Sequence, residues 1–249
     1  MKKNSLNCIR VLAIPMLLGI LLVLLHMVKD IRKIDILNVG TEKEKSATEI
    51  FYSASNSIVE VRVSGTYGTQ YGTAVFVNTG DAENVYLITN AHVVDVGDDI
   101  DNVKAAVRFA DEEDYRAVKV TKFDRTSDLA ILEAVDPDDM AVPQGIELCA
   151  FTEYGEKVYA VGNAMNSGLS VTEGIISNPS VNIEDGTNIR NVIQADIAIA
   201  SGSSGGALMN AGGRLLGIIT FRLYDDEGLP AYGFAFAVSA ETIMGFIQK

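Results

Sequence analysis

The chain has 249 residues, 48% of them hydrophobic, with 33 acidic against 20 basic side chains and a formal net charge of −13. Charge of this sign argues against nucleic acid as a partner and would repel anionic membrane surfaces and acidic substrates. With only two cysteines, Cys8 and Cys149, and two histidines, His26 and His92, neither a disulfide framework nor a Cys/His metal cluster can be assembled; no cofactor is expected.

In chain order, Lys2, Lys3 and Arg10 come first, followed by residues 11–28, which carry no charge and are dominated by Leu, Ile, Val and Met. Eighteen apolar residues lie at the short end of what spans a bilayer as a helix, and no small-x-small cleavage site follows. The segment reads as an uncleaved signal anchor, with residues 1–10 cytoplasmic and the remainder exported. A cleaved signal peptide and a secreted protein are the competing reading. Residues 29–46 are polar and charged and read as a linker, leaving 47–249 as the folded domain.

From about Ile50 the pattern turns to short β-rich runs separated by Gly, Asn and Asp. Strands are predicted at 57–64, 72–78, 85–89, 105–108, 116–123 and 129–134. A second set follows at 157–162, 169–177, 192–195, 207–209, 215–221 and 232–238. Twelve strands at this spacing predict an all-β fold of two six-stranded antiparallel barrels, at about 50–135 and 146–238. The Asp- and Pro-rich stretch 136–145 is the expected bridge. Residues 240–248 read as a terminal helix with Ile243, Phe246 and Ile247 on its apolar face. The acidic clusters at 98–101, 111–114 and 136–139 read as solvated loop tips, since none has the ligand spacing of an EF-hand loop.

Gly202-Ser203-Ser204-Gly205-Gly206 places a serine among glycines. Glycine permits a tight turn on which a hydroxyl is exposed and backbone N–H groups converge. Alone, such a cluster is more often a plain turn. Two further segments change its weight. Thr89-Asn90-Ala91-His92-Val93-Val94 follows the apolar run 85–88, and Asp128 heads the apolar run 129–132. The order is therefore His, Asp, Ser, one of the orders in which an acyl-transfer triad is built. It excludes an α/β-hydrolase, where the serine comes first. His26 lies inside the apolar N-terminal run, so His92 is the imidazole available to a base.

These motifs resemble the HtrA/DegP group of trypsin-like serine proteases, which carries T-N-x-H-V, D-L-A and G-N-S-G-G at the corresponding places. Val171–Ser177, Gln194-Ala195-Asp196 and Gly233-Phe234-Ala235-Phe236-Ala237 resemble further family segments, and the likeness extends over roughly residues 46–249. The resemblance implies barrels of the chymotrypsin type and a serine endopeptidase acting on misfolded or exported polypeptides. In it Ser204 is the nucleophile, His92 the general base and Asp128 its orienting acid. The oxyanion hole would fall at Gly202, Ser203 and Ser204. It implies a pocket at Ala198, Ile218, Ile219, Thr220, Tyr232 and Phe234; Ala198 stands where enzymes that cut after Lys or Arg carry an acid, so cleavage after small or medium apolar residues is expected. A homotrimer and a PDZ-less, membrane-anchored form are also expected. Two departures concern the serine loop: Ser203 replaces the usual Asn, and Ala200-Ser201 replaces Asn-Pro. Ser203 offers no carboxylate to a new N-terminal amine, so activation by that route is not expected. The same departures sustain a competing reading, a catalytically impaired protease fold serving as a binding or scaffold module.

Overall fold

The computed structural model describes residues 43–80, 85–185, 188–224 and 230–248. The anchor expected at 11–28 lies outside them. Among the described residues no helix is long and apolar enough to cross a membrane.

The domain opens with a capping box. Ser46 accepts a hydrogen bond from the Glu49 amide, and the Glu49 carboxylate accepts one from the Ser46 amide at 2.8 Å. This reciprocal pairing satisfies two orphan donors and starts helix α1, Ala47–Ala54. Ile50 and Ala54 are buried beneath it. The first barrel contains β1 (Ile58–Gly65), β2 (Gly68–Asn78), β3 (Val85–Thr89), β4 (Lys104–Phe109), β5 (Arg116–Asp124) and β6 (Leu129–Ala134), with the short helix α2 (Ala91–Val94) after β3. The strand order is β1-β4-β5-β6-β3-β2, and a β1–β2 pairing closes it. A two-residue strand, β7 (Ile146–Glu147), adds to β2 in parallel.

The second barrel contains β8 (Lys157–Gly162), β9 (Ser170–Asp185), β10 (Asn188–Asp196), β11 (Ala207–Asn210), β12 (Leu215–Tyr224) and β13 (Pro230–Ser239). It closes in the order β10-β13-β12-β11-β8-β9. Helix α3, Ala240–Gln248, follows. All twelve predicted strands are present, together with the terminal helix. Unforeseen are α1, β7 and the length of the β9–β10 pair. Pairing with β8 ends at Ile175 and pairing with β13 begins at Val192, so residues 178–185 and 188–191 form an arm beyond the barrel.

Side chains alternate across each strand, and in 72–78 of β2, in most of β6 and in most of β8 both faces are buried. Ala74 and Phe76 of β2, with Ala130 and Leu132 of β6, fill the first barrel. Their neighbours Val75, Val77, Leu129 and Ile131 face outward into a core shared with Tyr159, Val161, Met209 and Ile218 of the second barrel. Helices α1 and α3 cover the same core with Ile50, Ile243 and Phe246. Val158, Ala160, Leu216 and Ile219 fill the second barrel. Burial on two faces is why these strands read as continuous apolar runs. It also locks the barrels together, so loops at their seam hold fixed positions.

Candidate active site

His92 sits on α2, one turn beyond the buried end of β3. Asp128 precedes β6. The turn before it is shaped by Asp124, whose carboxylate accepts hydrogen bonds from the Thr126 and Ser127 amides and the Ser127 hydroxyl. Burial pushes the Asp124 carboxyl up, but these donors outweigh it and hold it below its usual value. Asp128 itself takes a left-handed φ of 55°, which Asp tolerates better than most residues.

The two loops are stitched together by hydrogen bonds. The Asn90 side-chain amide donates to the Asp128 carbonyl at 3.0 Å, and the His92 backbone amide donates to Asp128 Oδ1 at 3.0 Å. His92 Nδ1 lies 2.9 Å from Asp128 Oδ2. The Thr220 hydroxyl donates to the same oxygen, and Arg190 Nη1 lies 3.6 Å away. Asp128 has a side-chain exposure of 1%, against 47% for His92. Burial raises the Asp128 carboxyl, yet the His92 ring, the Thr220 hydroxyl and the His92 amide more than offset this, leaving it ionised below the ordinary Asp range. The imidazole is thus anchored at Nδ1 and open at its outer face.

Ser204 comes from the loop between β10 and β11. Its hydroxyl donates to the Thr220 carbonyl at 2.8 Å; among the described residues it makes no hydrogen bond to His92. Thr220 therefore joins the three groups, with its side chain on Asp128 and its carbonyl on Ser204. The Ser203 amide donates to the Ala200 carbonyl at 3.0 Å, and the Ala200 amide donates back to the Ser203 hydroxyl at 3.2 Å. Ser203 thus closes its own loop. The Gly202 and Ser204 amides have no hydrogen-bond partner among the described residues. Gly202 has φ of 91°, and a Cβ there would come within 2.3 Å of the Asn163 carbonyl, so only glycine fits.

The expected pocket residues separate. Ala198 and Ile219 line a cavity of about 150 Å³ together with Ala160, Gly162, Ala164, Ile199 and Ser203. Ile218 faces the core between the barrels, Thr220 is buried against Asp128, and Phe234 is exposed. The Tyr232 side chain lies outside the described residues. The sequence reading missed Asn90, Arg190 and the double role of Thr220. T-N-x-H-V contained the Asn90 signal; the other two act across long sequence separations.

The trypsin-like peptidase domain family matches residues 72–218, a span that contains His92, Asp128 and Ser204. Periplasmic serine endoprotease DegP of Escherichia coli (strain K12) is 36% identical over 155 residues, covering 62% of this chain and 31% of DegP. Protease Do-like 1, chloroplastic, of Arabidopsis thaliana is 32% identical over 167 residues, covering 66% of this chain and 36% of the relative. The chain thus spans about a third of the length of these curated relatives. Among solved structures, the HtrA-type protease AlgW with tripeptide superposes with a TM-score of 0.68 at 28% identity, covering 82% of this chain and 63% of AlgW. The serine endoprotease from Yersinia pestis gives 0.62 at 27% identity, covering 83% of this chain and 67% of the other. The chain belongs to the trypsin-like peptidase family, and its sequence and paired barrels are HtrA-like.

Proposed function

We propose that the chain is a serine endopeptidase in which Ser204 attacks the scissile carbonyl, His92 takes and returns the proton, and Asp128 fixes the imidazole. Nδ1–H of His92 is committed to the ionised Asp128, which leaves Nε2 as the base. The buried carboxylate stabilises the imidazolium that forms as the serine proton is taken up. The Gly202 and Ser204 amides receive the oxyanion, a contribution worth about 3–4 kcal/mol per donor in the transition state. After the amine leaves, water attacks the acyl-enzyme along the same path. The observation that carries this reading is the buried Asp128 carboxylate bonded to the exposed His92 ring, beside a serine whose loop holds two amides with no partner among the described residues.

Ser204 must rotate from the Thr220 carbonyl to reach His92. Hydrogen bonds of this kind are often unmade before substrate binds. The second reading, a catalytically impaired protease fold serving as a binding or scaffold module, is not favoured by the match to the trypsin-like peptidase domain. Ala198 and the small apolar cavity beside it support cleavage after small or medium apolar residues, since a buried cationic side chain would find no partner there. The names of the relatives support exported polypeptides as substrates. Membrane attachment through residues 11–28 and a trimeric assembly belong to the same proposal.

Digestion of an unstructured protein, with products sequenced by mass spectrometry, tests the reading. Cuts after Ala, Val or similar residues, abolished in Ser204→Ala, are expected. Dominant cuts after Lys or Arg would refute the specificity. Equal cleavage by Ser204→Ala would refute the nucleophile, and no cleavage by the folded parent chain would support the scaffold.

A further inference from the structure

The serine loop is held by its carbonyls. Four consecutive ones, Ser201 to Ser204, each accept a hydrogen bond. Ser201 accepts from the Met165 amide at 2.7 Å and Ser203 from the Gly206 amide at 2.9 Å. The other two, Gly202 and Ser204, accept from a single residue on the opposite barrel. Thr73 of β2 donates its hydroxyl to Gly202 at 2.8 Å and its amide to Ser204 at 2.8 Å. The Thr73 hydroxyl oxygen also accepts the Asn163 amide at 2.9 Å, and its carbonyl accepts the Thr89 hydroxyl at 2.7 Å. Thr73 is fully buried, and each of its polar atoms is engaged.

A trans peptide points its N–H opposite its C=O. The Met165 amide on the Ser201 carbonyl therefore turns the Gly202 N–H to the other side, and Gly206 on Ser203 does the same for the Ser204 N–H. The Met165 contact comes from an unusual turn: Met165 and Asn166 both hold left-handed φ values, 58° and 55°. Non-glycine residues stay there only when their surroundings require it. The Thr73 hydroxyl ties the root of that turn, Asn163, to Gly202.

We infer that Thr73 is a positioning residue whose hydroxyl sets the Ser201–Gly202 peptide in the orientation that presents the Gly202 N–H to an oxyanion. The inference rests on the reading of Ser204 as nucleophile. Without the hydroxyl, the Asn163 amide and the Gly202 carbonyl lose their shared partner, the turn and the loop separate, and the 201–202 peptide is free to flip its carbonyl into the hole.

Thr73→Val keeps the shape and removes the hydroxyl; Thr73→Ser keeps the hydroxyl. The expected result for Thr73→Val is a fall in kcat of about 10- to 100-fold, less than the roughly 10²–10³ lost when a hole donor itself is removed, with KM nearly unchanged. Affinity for a peptide boronate, which mimics the tetrahedral adduct, falls in parallel. Thr73→Ser restores both. Peptide binding to Thr73→Val in a Ser204→Ala background stays equal to that of Ser204→Ala alone, a result that a general loss of structure would not give. Thr73→Ala carries the same kcat-against-KM test if the valine variant fails to fold. Unchanged kcat and boronate affinity in a folded Thr73→Val or Thr73→Ala would overturn the inference. An inert parent chain, which fluorophosphonate does not label at Ser204, would instead overturn the nucleophile reading.

Discussion

The two halves of the candidate site are prepared to different degrees. The acid–base half, from the first barrel, is complete: Asp128 is buried, ionised and bonded to both the ring and the backbone of His92. The nucleophile half, from the second barrel, has its loop carbonyls anchored and two amides without a partner among the described residues, but its hydroxyl rests on the Thr220 carbonyl. Burying a charge without partners is costly, so the acid–base pair must be finished when the protein folds. A serine hydroxyl costs little to rotate, so in the proposed mechanism its alignment can wait for substrate. Thr220 spans the divide, with its side chain on one half and its carbonyl on the other.

Removing a group from either half breaks the comparison most severely. Ser204→Ala and His92→Ala should each lower kcat by on the order of 10⁶, because either loss disables the unit. The double variant should be no worse than either single one, measured on one peptide substrate; additive losses would mean that the two halves act separately. Asp128→Asn should cost on the order of 10⁴ in kcat by presenting the wrong tautomer of His92, with the fold retained in circular dichroism. Thr220→Ala removes the hydroxyl from Asp128 but keeps the carbonyl under Ser204. A loss of about tenfold is expected, the rate equivalent of one charge-assisted hydrogen bond. A loss comparable to that of Asp128→Asn would place the fragile half in the first barrel instead.

The smallest effect is on stability against pH. Because the folded-state value of Asp128 is depressed, its contribution is fully present above the unfolded value of about 4 and is lost as pH falls through the folded value. The gap in Tm between the parent chain and Asp128→Asn should therefore be constant near neutrality and close only in acid. A gap that widened in acid would mean the carboxyl is raised.

His92, Asp128 and Ser204 were legible in sequence because each heads or follows an apolar strand and carries side-chain chemistry that a plain turn does not need. The barrels were legible because residues 72–78 of β2, 129–132 of β6 and 158–162 of β8 are buried on both faces, which gives each a nearly continuous apolar run. Other parts were not. β7 has two residues, too few to display a period. The arm strand 178–185 does alternate, with Val181 and Ile183 between Ser180, Asn182 and Glu184, a short signal that the predicted strand ending at 177 left out. The capping signal Ser46-x-x-Glu49 was present but opened a helix of only eight residues, about two turns. The roles of Thr73 and Thr220 rest on contacts with backbone atoms and with residues far away in the chain. No local motif records those contacts.

The most direct test of the account is labelling by a fluorophosphonate probe, with the modified residue identified by mass spectrometry in the parent chain, Ser204→Ala and His92→Ala. The account predicts stoichiometric modification at Ser204, none in Ser204→Ala, and a rate lowered by orders of magnitude in His92→Ala. Modification at another residue, or an undiminished rate without His92, would contradict it.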